Sequence, residues 1–155
     1  MNGLLSQYKR IIAGETAPSP VELLLGIRPL DIEEGRSVFE LEARNDHSNP
    51  QGTVTGGVTT TLADMAMGMA FGTTLQPHET FTTIELKINF LKPVWQGKIK
   101  AEAVVKKRGK TIGLVECSLF DEIGSLVAFS TSTCMVLEGQ KANGRSQHIA
   151  NEGNR

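Results

Sequence analysis

The sequence predicts an α+β fold: one long central helix wrapped by an antiparallel sheet of about five to six strands, with a helical extension ahead of it. Three observations carry this. The stretch from Gly52 to Gly72, GTVTGGVTTTLADMAMGMAFG, is apolar, small or Thr from Gly57 onward except for Asp64, as a buried helix would be. On both sides of it, apolar and polar residues alternate with the period of strands. Gly68 and Gly72 would each weaken an isolated helix by about 1 kcal/mol relative to alanine, which indicates an element packed closely on the helix backbone.

At 155 residues the chain has the size of one domain. Hydrophobic content of 39%, charged content of 21% and a formal net charge of −1 argue against a general polyanion-binding role, so nucleic acid is not an expected partner. Cys117 and Cys134 lie in apolar stretches without a CxxC or Cys/His spacing. No signal peptide or membrane-length apolar run precedes them, so reduced thiols, a cytoplasmic location and no membrane partner are expected.

In chain order, Leu4, Leu5, Tyr8, Ile11 and Ile12 recur at helical spacing and predict an amphipathic helix, which with the link Gly14 to Pro18 forms a segment over 1–18. The main domain is expected over 19–138. It opens with Ser19, Pro20 and Glu22 as N-cap, first helical residue and capping-box partner of a short helix over 20–25, ended by Gly26. Phe39, Leu41 and Ala43 then alternate with Glu40, Glu42 and Arg44 after a turn near Glu34 and Gly35. The loop NDHSNPQGTVT, Asn45 to Thr55, leads into the long helix, where Val58, Leu62, Met65 and Met69 make an apolar stripe. Asp64 shares another side with Gly57, Thr60, Thr61, Gly68 and Phe71. Further strands are expected near 80–92, 97–108, 110–121 and 124–137, and turns at Gly97, Gly109 and Gly124 imply an antiparallel meander. The last of these strands is apolar or small on both faces, which fits a central or interface position. A polar tail covers 139–155. Since one helix covers one face of such a sheet, self-association is the economical answer for the other.

Asp64 is the first functional candidate. A carboxylate in an apolar setting has its pKa raised by desolvation and can act as a general base toward water or as a nucleophile. The free amides near Gly56 and Gly57, at the positive end of the helix dipole, can polarise a carbonyl oxygen. Together these suit acyl transfer to water. The alternative is a structural acid paired with a core Arg, Lys or backbone group.

The segments HSNPQGTVTGGVTTTLADMAMG, TTIELKINFLKPVWQGKIKAEAVV and FDEIGSLVAFSTST, in that order and spacing, resemble the phenylacetate-type (PaaI-like) hotdog-fold acyl-CoA thioesterases over roughly residues 22–137. The resemblance implies dimers whose sheets join edge to edge, often paired into tetramers, with active sites between subunits. It implies hydrolysis of an acyl-CoA without metal or other cofactor, coenzyme A arriving as part of the substrate. By position it implies Asp64 as base or nucleophile, Gly57 as the residue whose N–H polarises the thioester carbonyl, Asn49 as the loop amide that positions substrate or water, and Thr83 as a hydroxyl that orients the water. In such dimers Asp64 would meet Gly57 and Asn49 of the partner subunit.

The family commonly has His-Gly-Gly before the helix, and here the residues are Thr55, Gly56 and Gly57. A threonine hydroxyl replaces a hydrogen bond of the imidazole but not its acid/base capacity. His47 stands near enough in sequence to compensate, unless it is simply a solvated loop histidine; His78 and His148 offer less. Lys106, Lys107, Arg108 and Lys110 surround a hairpin turn that is either a solvated tip or, as in similar thioesterases, a contact for the coenzyme A phosphates through Lys107 and Lys110. Met65, Met69, Phe71 and Phe90 either line an acyl pocket or belong to the core. Two other functions compete: an acyl-CoA-binding or regulatory domain, favoured by the missing histidine, and a hotdog hydratase or dehydratase, whose loop motif is not found.

Overall fold

The computed structural model of the chain describes residues 3–144. The expected tail falls largely on residues 145–155, outside the described residues. The order of elements is α1 (Gly3–Ile12), α2 (Pro20–Leu25), β1 (Ile27–Glu33), β2 (Arg36–Ala43), a 3-10 turn (Asn45–His47), α3 (Gly56–Gly72), β3 (Thr80–Phe90), β4 (Gly97–Arg108), β5 (Ile112–Phe120), β6 (Leu126–Leu137) and a final 3-10 turn (Gly139–Ala142).

Local chemistry accounts for the short elements. In α2 the Ser19 N–H donates to Glu22 Oε2 at 2.6 Å, Pro20 supplies the first turn, and Gly26 closes the helix at φ 69°, donating its N–H to the Glu22 carbonyl. The six strands form one antiparallel sheet in the order β1-β2-β4-β5-β6-β3. β6 is an interior strand, paired with β5 on one side and β3 on the other, as its two apolar faces implied. The expected meander holds from β4 to β6 but not across Gly97. There β3 pairs with β6 and β4 pairs with β2, so the connection 91–96 crosses between distant strands and β3 becomes a sheet edge. Gly97 provides a left-handed bend (φ 88°) without making a hairpin.

The helix crosses one face of this sheet. Leu62, Ala63, Ala66, Met67, Ala70 and Phe71 are fully buried against Phe39, Leu41, Ile99, Ala101, Ala103, Val115, Cys117 and Leu119. Burying a side chain of the size of Leu62 or Phe71 contributes about 1.5–3 kcal/mol. The expected stripe is therefore rotated: Leu62 belongs to the buried side, while Val58, Met65 and Met69 are only half-buried. The short Ala101 and Ala103 side chains beneath α3 let it sit low, and Ser37 Oγ donates to the Ala66 carbonyl at 2.6 Å. The close neighbours implied by the helical glycines are Phe81, on Gly68 and Gly72, and Leu4 of α1, on Gly72. α1 shares the same core through Leu4, Tyr8 and Ile11, with Tyr8 edge-on to Phe39 at 5.8 Å. Both cysteines are free and buried. A long helix across one antiparallel sheet, with a helical extension, is the hotdog arrangement that the resemblance implied.

Candidate active site

The N-terminus of α3 is built by the loop before it. Asn49 organises this loop: its Oδ1 accepts the N–H groups of Gln51 (2.9 Å) and Thr53 (3.2 Å), its Nδ2 donates to Thr53 Oγ1 (2.8 Å), and its N–H donates to the Thr53 carbonyl (2.8 Å). The Thr55 N–H donates to the His47 carbonyl and the Val54 N–H to the Val94 carbonyl, both at 2.8 Å. Thr55 is then the N-cap, in extended conformation, with its side chain making no cap hydrogen bond. The Gly56 and Gly57 amides have no acceptor within the helix, and Gly57 is exposed with open space where a Cβ would stand.

His47 is not the solvated loop histidine weighed above. It is buried: Nδ1 accepts the Arg44 N–H at 3.1 Å, Nε2 lies 3.3 Å from Arg44 Nη2, and the ring bonds the Leu25 carbonyl. Burial first, and then the Arg44 charge, hold its pKa below the ordinary histidine value. It works as a latch beneath the loop.

Asp64 sits on a face of α3 that the sheet leaves uncovered, together with Gly57 and Thr61. Although the helix is expected to be buried, Asp64 is solvent-reachable within one chain. Its surroundings still desolvate the carboxyl enough to raise its pKa above the ordinary aspartate value, against the opposing hydrogen bond from Thr83. Thr83 Oγ1 donates to Asp64 Oδ1 at 3.3 Å. No core Arg or Lys pairs with Asp64 among the described residues. The structure thus brings Asp64 and Thr83 together while separating Asp64 from Gly57: seven residues of helix put them about 10 Å apart along the axis.

Phe90, at the exposed end of β3, covers Gly56, where a Cβ would come within 2.8 Å of its ring. A groove of about 470 Å³ opens there between Asn49, Thr53, Val54, Phe90, Pro93 and Val94. Sequence patterning did not signal this groove, because the 91–96 crossover that walls it carries no periodicity. Phe71, by contrast, is core: it is fully buried, edge-on to Phe81 at 5.6 Å and stacked under the Arg108 guanidinium at 5.4 Å. Arg108 is further held by Glu79 Oε2 at 2.6 Å, and Lys106 by Glu116 at 3.0 Å. Lys107 and Lys110 remain exposed and without an ion pair among the described residues. Their hairpin lies at the end of the molecule where α3 finishes, about 20 Å along the helix from Gly57. At the same end His78, Glu79 and Glu138 bring donor atoms within 4.8 Å of one another, remote from Asp64. No described helix is long and apolar enough to cross a membrane.

The chain is similar in sequence and fold to known proteins. The human protein named acyl-coenzyme A thioesterase 13 is 28% identical over 131 residues, 83% of this chain and 93% of that one. The 1,4-dihydroxy-2-naphthoyl-CoA hydrolase of Listeria monocytogenes is 28% identical over 117 residues, 76% of this chain and 95% of its own. The solved structure of a phenylacetic acid degradation-related protein from Ralstonia eutropha superimposes with a TM-score of 0.73 at 30% identity, covering 83% of this chain and 98% of that chain. The model of the thioesterase superfamily matches residues 51–128, which run from the loop that builds the helix N-terminus, through Asp64 and Thr83, into β6, and the chain belongs to that superfamily.

Proposed function

We propose that the protein hydrolyses acyl-CoA thioesters at a site shared by two subunits, with Asp64 of one as general base and Gly57 of the partner subunit as the donor to the thioester carbonyl. One observation carries this reading: the uncovered face of α3 presents Gly57 and Asp64 beside β3, a sheet edge whose Ile84 is 50% exposed. A second copy joined at that edge would cover the face and set each Asp64 near the other helix's N-terminus. Within one chain the two groups are too far apart to act on one carbonyl.

The chemistry follows from the groups. Thr83 occupies one oxygen of Asp64, leaving the other for a water molecule. As that oxygen takes the water's proton, the hydroxide attacks the thioester carbon and the carbonyl oxygen becomes an oxyanion. The Gly57 N–H of the partner subunit, at a helix N-terminus, stabilises the negative charge. Collapse breaks the C–S bond, and the departing thiolate takes up the proton. A raised carboxyl pKa makes Asp64 a stronger base than an ordinary aspartate. Exposed Lys107 and Lys110 supply charge for the coenzyme A phosphates. The acyl-CoA names of the human and Listeria relatives support the substrate class.

The test is thiol release from short, long and aromatic acyl-CoAs by wild type, Asp64→Ala and Asp64→Asn. The expected loss in both variants is about 10²- to 10⁴-fold in kcat. Variants as active as wild type would remove Asp64 from the mechanism. Binding without turnover in wild type would favour a regulatory acyl-CoA-binding domain, the reading that Thr55 in place of the family histidine supports.

A further inference from the structure

Behind Asp64 and Thr83 the sheet carries two small polar side chains, Cys134 and Ser132, that the mechanism above does not use. Thr83 of β3 lies directly across from Cys134 of β6, and the register of β3 shifts immediately after Thr83. Ser132, two residues before Cys134 and therefore on the same sheet face, places its Oγ 3.7 Å from Cys134 Sγ. Both Ser132 and Cys134 are fully buried. As a directly opposed cross-strand pair, the Thr83 and Cys134 side chains stand on the same sheet face. Thr83 completes the row at Asp64 Oδ1, 3.3 Å away.

We propose that Cys134 is a positioning residue, whose thiol, held by Ser132, fixes the Thr83 hydroxyl as the donor to Asp64. This rests on the reading of Asp64 as the base. A threonine hydroxyl has one proton and two lone pairs, so its direction is set by what occupies the lone pairs. The Ser132 hydroxyl and the Cys134 thiol make no other hydrogen bond among the described residues, and buried polar groups take the partners at hand. With Ser132 donating to Sγ and the S–H donating to Thr83, the one proton left is that of Thr83, and it points at the carboxylate. Each bond in such a row polarises the next toward the anion.

Burial, the largest influence, keeps the Cys134 pKa above the ordinary thiol value, helped by the nearby Asp64 charge. The group therefore stays a donor at neutral pH. α3 and β6 contain no charged residue other than Asp64. On β3, Glu85 pairs with Thr133 and Lys87 lies opposite Thr131, neither turned toward α3.

The experiment measures kcat, KM and the pH profile of thiol release for Cys134→Val and Cys134→Ser, with Thr83→Val and the Thr83→Val/Cys134→Val double variant. Cys134→Val should lower kcat about fivefold, the worth of one hydrogen bond, with KM nearly unchanged. Its acid limb should move to higher pH, because the ionised carboxylate has lost a donor, and Cys134→Ser should restore both. In the Thr83→Val background, Cys134→Val should have no additional effect. Additive losses, or a Cys134→Val variant with wild-type kcat and acid limb, would overturn the proposal. Should Cys134→Val not fold, Cys134→Ala serves the same comparison. An inert Asp64→Asn beside a normal Cys134→Val defeats only the positioning role, whereas an active Asp64→Asn defeats the base reading first.

Discussion

If Asp64 and Gly57 serve one site from two subunits, variants that are each inactive should restore activity when their subunits are mixed. The first partner is Asp64→Asn, which removes the base and keeps the shape. The second is Gly57→Pro, which removes the polarising N–H. Proline is tolerated in the first turn of a helix, and the space beside Gly57 is open within 4 Å of a built Cβ, so the amide is the principal loss. Gly57→Ala keeps the amide and should stay active, as the steric control. In a two-fold dimer each subunit gives one component to each site. A heterodimer of the two variants then carries one site with both defects and one with neither. Random exchange of equal amounts yields half heterodimers, so about one quarter of all sites are intact and about one quarter of wild-type thiol release returns. The geometric basis is the separation of about 10 Å between the two groups in one chain, against the roughly 3 Å reach that proton transfer and carbonyl polarisation each require. The assay is thiol release after co-refolding two differently tagged variants, with heterodimers confirmed by sequential affinity capture. Captured heterodimers that remain inactive would refute the shared site, as would full activity in a wild-type species that sediments as a monomer.

Two further outcomes test the structure. Because the folded protein raises the Asp64 pKa, this group stabilises the fold below its unfolded pKa of about 4, and that contribution is lost as pH rises through the folded value. Asp64→Asn should therefore melt at a higher temperature than wild type at pH 7, with the gap closing as the pH falls toward about 4; a pH-independent difference would contradict the desolvation of this carboxyl. Gly113→Ala would put a Cβ 2.1 Å from the ring of Phe71, which Phe81 and Arg108 hold from other sides, and overpacking of this kind costs about 1–3 kcal/mol. Calorimetry should find the melting point lowered by several degrees, and an unchanged value would mean that the ring moves freely.

What the sequence made legible follows the range of the forces involved. The capping of α2 is written in Ser19, Pro20, Glu22 and Gly26 because all its partners lie within one turn. The strands could be read from period two because one of their faces is wet. Strand order is set by contacts remote in sequence, so Gly97 marks a bend without revealing that β4 leaves β3 to pair with β2. The direction faced by α3 was illegible for a different reason. Its Ala, Gly, Met and Thr residues surround the axis almost evenly, and such a helix has no pronounced apolar side to read. Hence Phe71 was grouped with Asp64 on the open side, although it is buried at the opposite end of the helix from Gly57. The pairing of Asp64 with a β3 hydroxyl came from the resemblance alone, since residues 64 and 83 share no local pattern.

The replacement of the family's histidine by Thr55 can be weighed from the geometry. The Thr55 backbone holds the helix start in place, its N–H on the His47 carbonyl and its carbonyl accepting the Val58 and Thr59 amides. Its hydroxyl makes no hydrogen bond among the described residues, so the side chain is not needed to build the N-terminus. His47 cannot readily supply the missing imidazole, because turning it outward would break its bonds to Arg44 and the Leu25 carbonyl. Its accepting Nδ1 also fixes the proton on Nε2, and its lowered pKa keeps it neutral. On the proposed mechanism, the charge on a carbonyl bound at this helix N-terminus is therefore met by backbone amides, and proton transfer falls to Asp64.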